Sequence, residues 1–367
     1  MDILSEGIVF MAMNSLELTL KTLTPLWTGG ADGKADRLHI TGLMGSLRWW
    51  YEVMIRSIGG HVCDPSKHSC QYDPSKPDTG LCDVCKVFGA TGWARRFRLI
   101  IPQDNLQPKK PIASRSDGSG RLVLTLSGNH PDNRGLGHKW YLTGNPLSGQ
   151  IKLGIIPTGP IDKDGNELFD PAIIAAVFQF IADRASIGAK PQMGLGVIQV
   201  ANRQSTQPLI KHLEQIISTH QTRHDLKTRV DDELPCLQNM FFASVNVSST
   251  LESATFDLKY DLRNMLREEF KGDRLRHTIM GFVRGGNRIG AKIMMSFPYD
   301  DGTVRLWGWI PRLTQSKPSR DEILNEIYYF LEDVYGPDQT SFWLDFNPEQ
   351  NRNVLEYLDK NLLAGVE

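Results

Sequence analysis

Between Met240 and Tyr335 the spacing of apolar residues changes period in a fixed order, and that order narrows the possible folds more than any single residue does. A short apolar run predicts a strand over Phe241–Val247, followed by helical spacing over Phe256–Phe270. A strand over His277–Val283, a glycine-rich turn over Arg284–Gly290 and a strand over Ala291–Pro298 come next. A further strand over Thr303–Pro311 and a long helix over Arg320–Tyr335 close the cycle. Strand–helix–strand, given twice, is the split βαβ or ferredoxin-like pattern.

The first half fits the same cycle with insertions. Leu16, Leu18 and Leu20 alternate with polar neighbours in a strand over Asn14–Leu23, and a glycine-rich loop over Thr28–Asp36 follows. Thr41 is the expected N-cap of a helix reaching Ile58. Its apolar stripe is Leu43, Leu47, Trp50, Met54 and Ile58, with Arg48, Trp49, Glu52 and Arg56 on the other side. Strand-like runs recur at Phe97–Ile101, Arg121–Ser127, Ile151–Ile156 and Val197–Val200. Asp170 and Pro171 open a helix with Ile173, Ile174, Val177, Phe178 and Ile181 on one side. The expected fold is α+β: two ferredoxin-like (split βαβ) modules with a zinc-binding insertion and helical additions. The first module spans 1–205 with the insertion at about 61–88, 206–235 is a polar connector, and 236–367 is the second module with C-terminal helices.

A chain of 367 residues, 40% hydrophobic, is long enough for two or three cores. No apolar run approaches the ~18 residues of a membrane span, so no membrane partner is expected. Met1–Met13 holds an apolar patch but also Asp2 and Glu6 and no basic leader, which argues against a signal peptide and for a cytoplasmic protein.

The formal charge of −1 hides a strong polarity. Gly92–Arg121 carries seven basic residues against two acids, and Lys271–Lys292 six against Asp273, each a net of +5. Asp321–Glu367 carries eleven acids against Arg352 and Lys360, a net of −9. Such segregation lets one face attract phosphate while another repels it or meets a basic partner.

Four of the five cysteines fall in one short run, Cys63, Cys70, Cys82 and Cys85, spaced C-x6-C-x11-C-x2-C. Four soft thiolates suit a tetrahedral zinc ion. A disulfide framework is the rival, and a chain without a secretory leader disfavours it. His61 or His68 can replace one thiolate. Four protein ligands leave no open position for water, so the expected cofactor is structural Zn. Cys236 stands alone and reads as a buried thiol.

Ser186–Gly196 packs Gly188, Gly194 and Gly196 before a strand. Glycines admit close approach of a polyanion backbone, and loop N–H groups can cradle phosphate oxygens. This run resembles the late glycine-rich signature of the RAMP superfamily of CRISPR proteins, with Ser186 where a first glycine is expected. Thr24–Gly30 and Gly45–Trp50 resemble that superfamily's first loop and helix. More narrowly, Cys82–Arg96 is similar to the first-subunit family of the type III-B Cmr effector complex. The resemblance covers residues 14 to about 310. It implies two ferredoxin-like modules at one end of a multi-subunit filament around CRISPR guide RNA. It also implies a non-catalytic role near the guide 3′ end, engaging target RNA, with other Cmr subunits as partners.

RNA contact requires phosphate-facing cations and, for single strands, aromatic platforms. The candidates are Lys34, Arg37 and His39 in the first loop, Arg48 and Trp49 on the helix behind it, and Arg95 and Arg96 after the cysteines. Lys190, Gly194 and Gly196 represent the late glycine loop, and Arg284, Arg288 and Lys292 the second module. Trp50, Trp307 and Trp309 read as core. Two other functions compete: a metal-dependent ribonuclease using Asp32 or Asp36, as in related RAMP backbone subunits, and a zinc-stapled protein-interaction module without RNA contact. None of the nine histidines has a motif-level partner for nucleophilic catalysis.

Overall fold

The computed structural model describes residues 15–30, 35–64, 67, 69–75, 80–119, 121–133, 139–160, 169–222, 234–300, 302–311, 318–336 and 340–364. Its first half contains β1 (Leu16–Thr22), α1 (Ile40–Ser57), α2 (Asp83–Phe88), β2 (Phe97–Asp104), β3 (Arg121–Thr125), β4 (Lys139–Thr143), β5 (Gln150–Pro157), α3 (Ala172–Arg184), β6 (Ile198–Val200) and α4 (Gln207–Thr222). In its second half are β7 (Met240–Asn246), α5 (Ser253–Glu269), α6 (Asp273–Met280), β8 (Phe282–Arg284), β9 (Asn287–Ile289), β10 (Ile293–Met295), β11 (Thr303–Trp309), α7 (Arg320–Tyr335) and β12 (Thr340–Asp345).

The first sheet is antiparallel in the order β2-β5-β1-β6. Register places Leu18 opposite Leu153 and Leu20 opposite Ile151, so one face is apolar and meets α1 and α3. Lys21, Arg98 and Lys152 project from the other, exposed face. The second sheet repeats the arrangement in the order β10-β11-β7-β12.

The second sheet is covered on both faces. Phe241, Ala243 and Val245 of β7 pack on α5 and α7 through Leu258, Leu262 and Ile327. Phe242 points the opposite way, 6.3 Å from Trp50 on α1 and 5.8 Å from Phe180 on α3 between ring centroids. Double-sided burial explains why β7 reads as a continuous apolar run rather than an alternating one. Arg305, on the same face as Trp307, is 7% exposed and donates to the Ala182 and Ala185 carbonyls at the end of α3. It satisfies the carbonyl groups that a helix C-terminus leaves open.

Two expectations need correction. Helix α1 starts at Ile40, so Thr41 lies inside its first turn, and the N-cap is His39, without a side-chain cap. The stretch expected as a strand over His277–Val283 is mostly α6, because Leu275 and Ile279 are buried four residues apart against the second core. Only Phe282–Arg284 is extended, paired with β9 around Gly285 and Gly286. The strand expected at Arg121–Ser127 exists as β3, but in a separate small sheet with β4.

That small sheet fastens the halves together. Leu122, Leu124 and Leu142 pack with Phe256 of α5 and with Phe297. Glu252 accepts the Ile112 and Ala113 N–H groups, Asp257 accepts that of Ser127, and Asp261 meets His130 Nε2 at 3.0 Å. Helix α4, inside the expected connector, buries Leu209, Ile210 and Leu213 in the first core.

Candidate metal centre and nucleic-acid interface

Helix α1 leads into the loop holding Cys63 and Cys70, and Cys82 is the N-cap of α2. All four sulfurs lie within 4.8 Å of one another, with Cys63 Sγ and Cys85 Sγ 3.6 Å apart. Sulfurs at corners of a tetrahedron about ~2.3 Å from a zinc ion are separated by about 3.8 Å. Backbone N–H groups of Cys82 and Cys85 donate to Cys70 Sγ and Cys82 Sγ, both at 3.3 Å. Burial pushes the Cys70 thiol up to about 11 and that of Cys82 to about 12, so ionising this set calls for a cation among the sulfurs. No disulfide joins any of the five cysteines, and the cluster of four is compatible with zinc. His61 stands outside it, its N–H donating to Asp83 Oδ2; His68 lies outside the described residues.

Arg48 supplies the nearest positive charge. Its Nη2 reaches Cys85 Sγ at 3.3 Å and Cys63 Sγ at 3.8 Å, while Nε donates to Glu52 Oε1 at 2.9 Å. This residue, expected among the RNA contacts, is turned toward the sulfurs.

The late glycine loop is organised by packing. Gly196 has φ +90°, and a Cβ there would sit 2.0 Å from the Ile187 carbonyl oxygen. Gly194 also has φ +90°, and its Cβ would meet the Phe297 ring at 2.4 Å. The N–H groups of Ile187, Ala189, Gly194 and Gly196 donate to backbone carbonyls, and that of Gly188 to Ser46 Oγ. These donors are spent inside the protein.

The remaining candidates fall into three places. Arg37 and His39 lie around Thr28, whose Oγ1 donates to the Arg37 carbonyl and accepts the His39 N–H. Lys190 joins them there, its Nζ 4.4 Å from the Trp27 ring centroid and 2.9 Å from Thr143 Oγ1. Lys34 and Asp32 lie outside the described residues. Asp36 Oδ1 accepts a hydrogen bond from His39 Nε2 at 2.9 Å, and that bond holds its carboxyl below the usual range. Arg95 is exposed, and the Arg96 guanidinium stacks 4.2 Å over Trp93. Arg284 and Arg288 belong to the β8–β9 hairpin, and Lys292 Nζ donates to the Thr278 carbonyl at 2.6 Å.

Trp49 is half-buried against Trp50 and Trp309, at 4.6 and 6.1 Å between centroids. With Trp307, Ser46 and Gly188 it lines an apolar pocket of about 380 Å³. Trp307 is core, as expected, at 3% exposure. Trp309 is only half-buried, and its buried Nε1 has no hydrogen-bond partner among the described residues.

Sequence reasoning missed a larger feature, a cleft of about 700 Å³ between β4, α5, α6 and the β8–β9 hairpin. Among the described residues six cations line it, Lys139, Lys259, Arg263, Arg267, Arg276 and Arg288, and no carboxylate does. Lys259, Arg263 and Arg267 recur every four residues along α5, the one signal legible in the sequence. Lys259 is 8% exposed, its Nζ donates to the Gln192 carbonyl at 2.6 Å, and burial lowers its pKa to about 8. Tyr260 and Trp140 add aromatic surface.

Residues 19–199 match the family model of the RAMP superfamily. This region is a RAMP domain. It contains the first sheet, the cysteine cluster and the glycine loop. No curated protein matches the chain in sequence. Among solved structures, a chain of the type III-B Cmr-beta bound to cognate target RNA is similar to this chain, with 12% identity and a TM-score of 0.45. The match covers 86% of this chain and 99% of that one. Cmr1 from Pyrococcus furiosus in its apo form gives 13% identity and a TM-score of 0.38, over 87% and 97% of the two chains. No helix among the described residues is long and apolar enough to cross a membrane.

Proposed function

We propose that this chain is a non-catalytic RNA-binding subunit of a type III-B CRISPR (Cmr) effector complex, near the guide RNA 3′ end and engaging target RNA. The match of residues 19–199 to the RAMP superfamily carries this reading. The similarity of Cys82–Arg96 to the first-subunit family of that complex narrows it. Each half is read as ferredoxin-like, supported by the strand order second-third-first-fourth with a helix after the first and third strands. The module boundaries follow, 1–205 and 236–367 with 206–235 between them. Zinc on Cys63, Cys70, Cys82 and Cys85 is architectural in this reading, since four thiolates fill its coordination and leave no place for a water.

The RNA-facing set is Arg37, His39 and Lys190 around Trp27, Arg95 and Arg96 beyond the cysteines, and Arg288 with Lys292 on the second module. Arg48 contributes by fixing the cysteine segment that positions Arg95 and Arg96. Purification of the chain from its native cytoplasm, followed by sequencing of co-purified RNA and identification of co-purified proteins, tests the reading. Guide RNA with further Cmr subunits is the expected result. Recovery of partner proteins without RNA would replace it with the protein-interaction reading.

A further inference from the structure

Helix α5 sorts its charges by face. Glu252 just before it, and Asp257 and Asp261 within it, are engaged by the small sheet of the first half. Lys259, Arg263 and Arg267 line the cleft on another side. Like charges four residues apart disfavour a helix by a few tenths of a kcal/mol per pair, and here all three line one wall of the cleft, with Arg267 Nη2 also 3.8 Å from its neighbour Glu268. Lys139 arrives from β4, Arg276 from α6 and Arg288 from the hairpin, so four separate elements converge like charges on one concavity. A concave, single-sign surface with low-dielectric walls concentrates potential and attracts a polyanion.

The glycine loop engages the N–H groups of Ile187, Gly188, Ala189, Gly194 and Gly196 internally, so the cations are the evident phosphate partners here. Gln192 of that loop nevertheless reaches the cleft wall and holds Lys259 through its carbonyl. The cleft thus borders the RAMP domain while its cations come chiefly from the second module.

We infer that the cleft between α5, α6, β4 and the β8–β9 hairpin is a phosphate-binding track for single-stranded RNA, built jointly by both halves of the chain. The inference rests on the RNA-binding reading above and extends its Arg288 into a continuous surface with Lys139, Lys259, Arg263, Arg267 and Arg276, which that reading does not require. Lys139, Arg267 and Arg288 are exposed side chains and make the outer contacts, whereas Lys259 is fixed in the wall and sets the local potential.

The test uses the full-length chain and a single-stranded RNA of about 20 nucleotides, with affinity measured across a salt series. Lys139→Gln, Arg267→Gln and Arg288→Gln are combined, because exposed side chains can change without disturbing the core. A control combines Lys21→Gln, Arg98→Gln and Lys152→Gln on the open face of the first sheet. Each lost phosphate contact flattens the log–log salt slope by ~0.7, so the cleft variant loses about 2 in slope and on the order of 10²-fold in affinity at ~50 mM salt. The control keeps the wild-type slope and affinity. Unchanged binding by the cleft variant, with wild-type protein binding RNA normally, overturns the cleft and leaves the RNA-binding reading standing. Loss of a partner protein from the purified assembly, with RNA affinity and slope unchanged, makes the cleft a dock for an acidic protein segment and also overturns the inference. Failure of the wild-type chain and its native assembly to bind RNA removes the reading itself.

Discussion

Arg48 sits where two demands meet: its guanidinium faces Cys85 and Cys63 on one side and Glu52 on the other. A zinc tetrathiolate carries a net charge of about −2, and a half-buried neighbouring cation offsets part of it. Groups that touch metal ligands without binding the metal typically change its affinity by 10–100-fold when removed. Arg48→Met is therefore expected to keep zinc at saturating metal but lose it to a chelator at a correspondingly lower concentration, read by a zinc-sensitive dye. With zinc among the four sulfurs, Cys82→Ser removes one ligand; elemental analysis should fall from one equivalent toward none, and the segment around α2 should become protease-sensitive. Retention of a full equivalent in Cys82→Ser would remove zinc from these sulfurs. Asp36 belongs to the same scale. Its bond to His39 ties it to the start of α1, and Asp36→Ala, like Asp32→Ala, should leave RNA cleavage by an assembled complex unchanged on a sequencing gel. Disappearance of one product band would favour the ribonuclease.

Elements differ in how plainly their sequences announce them. Helix α7 was readable to its ends, because Ser319 and Glu322 form a capping box in which each side chain accepts the other's backbone N–H. The cysteine cluster was readable because its four sulfurs lie close in the chain. Helix α6 was misread since a short apolar run fits either period, and only burial of Leu275 and Ile279 against the second core decides it. The cleft was legible only as a four-residue repeat on α5; Lys139 and Arg288 join it through tertiary packing no local pattern encodes. Arg48 illustrates the same limit, since a basic residue beside a tryptophan looks alike whether it faces solvent or sulfur. Glycine requirements give a direct comparison of two elements. Gly196→Ala places a Cβ against the Ile187 carbonyl in a left-handed conformation and should cost about 2 kcal/mol or more in urea denaturation. Gly45→Ala, inside α1 with nothing within 4 Å of the new carbon, should instead stabilise by about 0.5–1 kcal/mol.

At the scale of the whole molecule the two sheets do not stand as independent bodies. The second is covered by α5 and α7 on one side and by α1 and α3 on the other. Residues 354–363 return to the first half, where Arg184 donates to the Asn361 and Leu362 carbonyls. Phe242, fully buried between Trp50 and Phe180, marks the junction. Phe242→Ala should cost about 3–5 kcal/mol and lower the single melting transition of the entire chain by calorimetry. A new early transition confined to residues 236–367 would mean that the halves unfold separately.

The shared middle layer has a practical consequence for anyone dividing the gene. Residues 1–222 produced alone would present α1 and α3 with Trp50 and Phe180 bare, and 234–367 would present Phe242 and Trp307. Each fragment is expected in the insoluble fraction, whereas co-production from two cistrons should yield a soluble one-to-one pair on size exclusion. For the same reason a side-chain label belongs on the open face of the first sheet, where Lys21 and Lys152 are exposed.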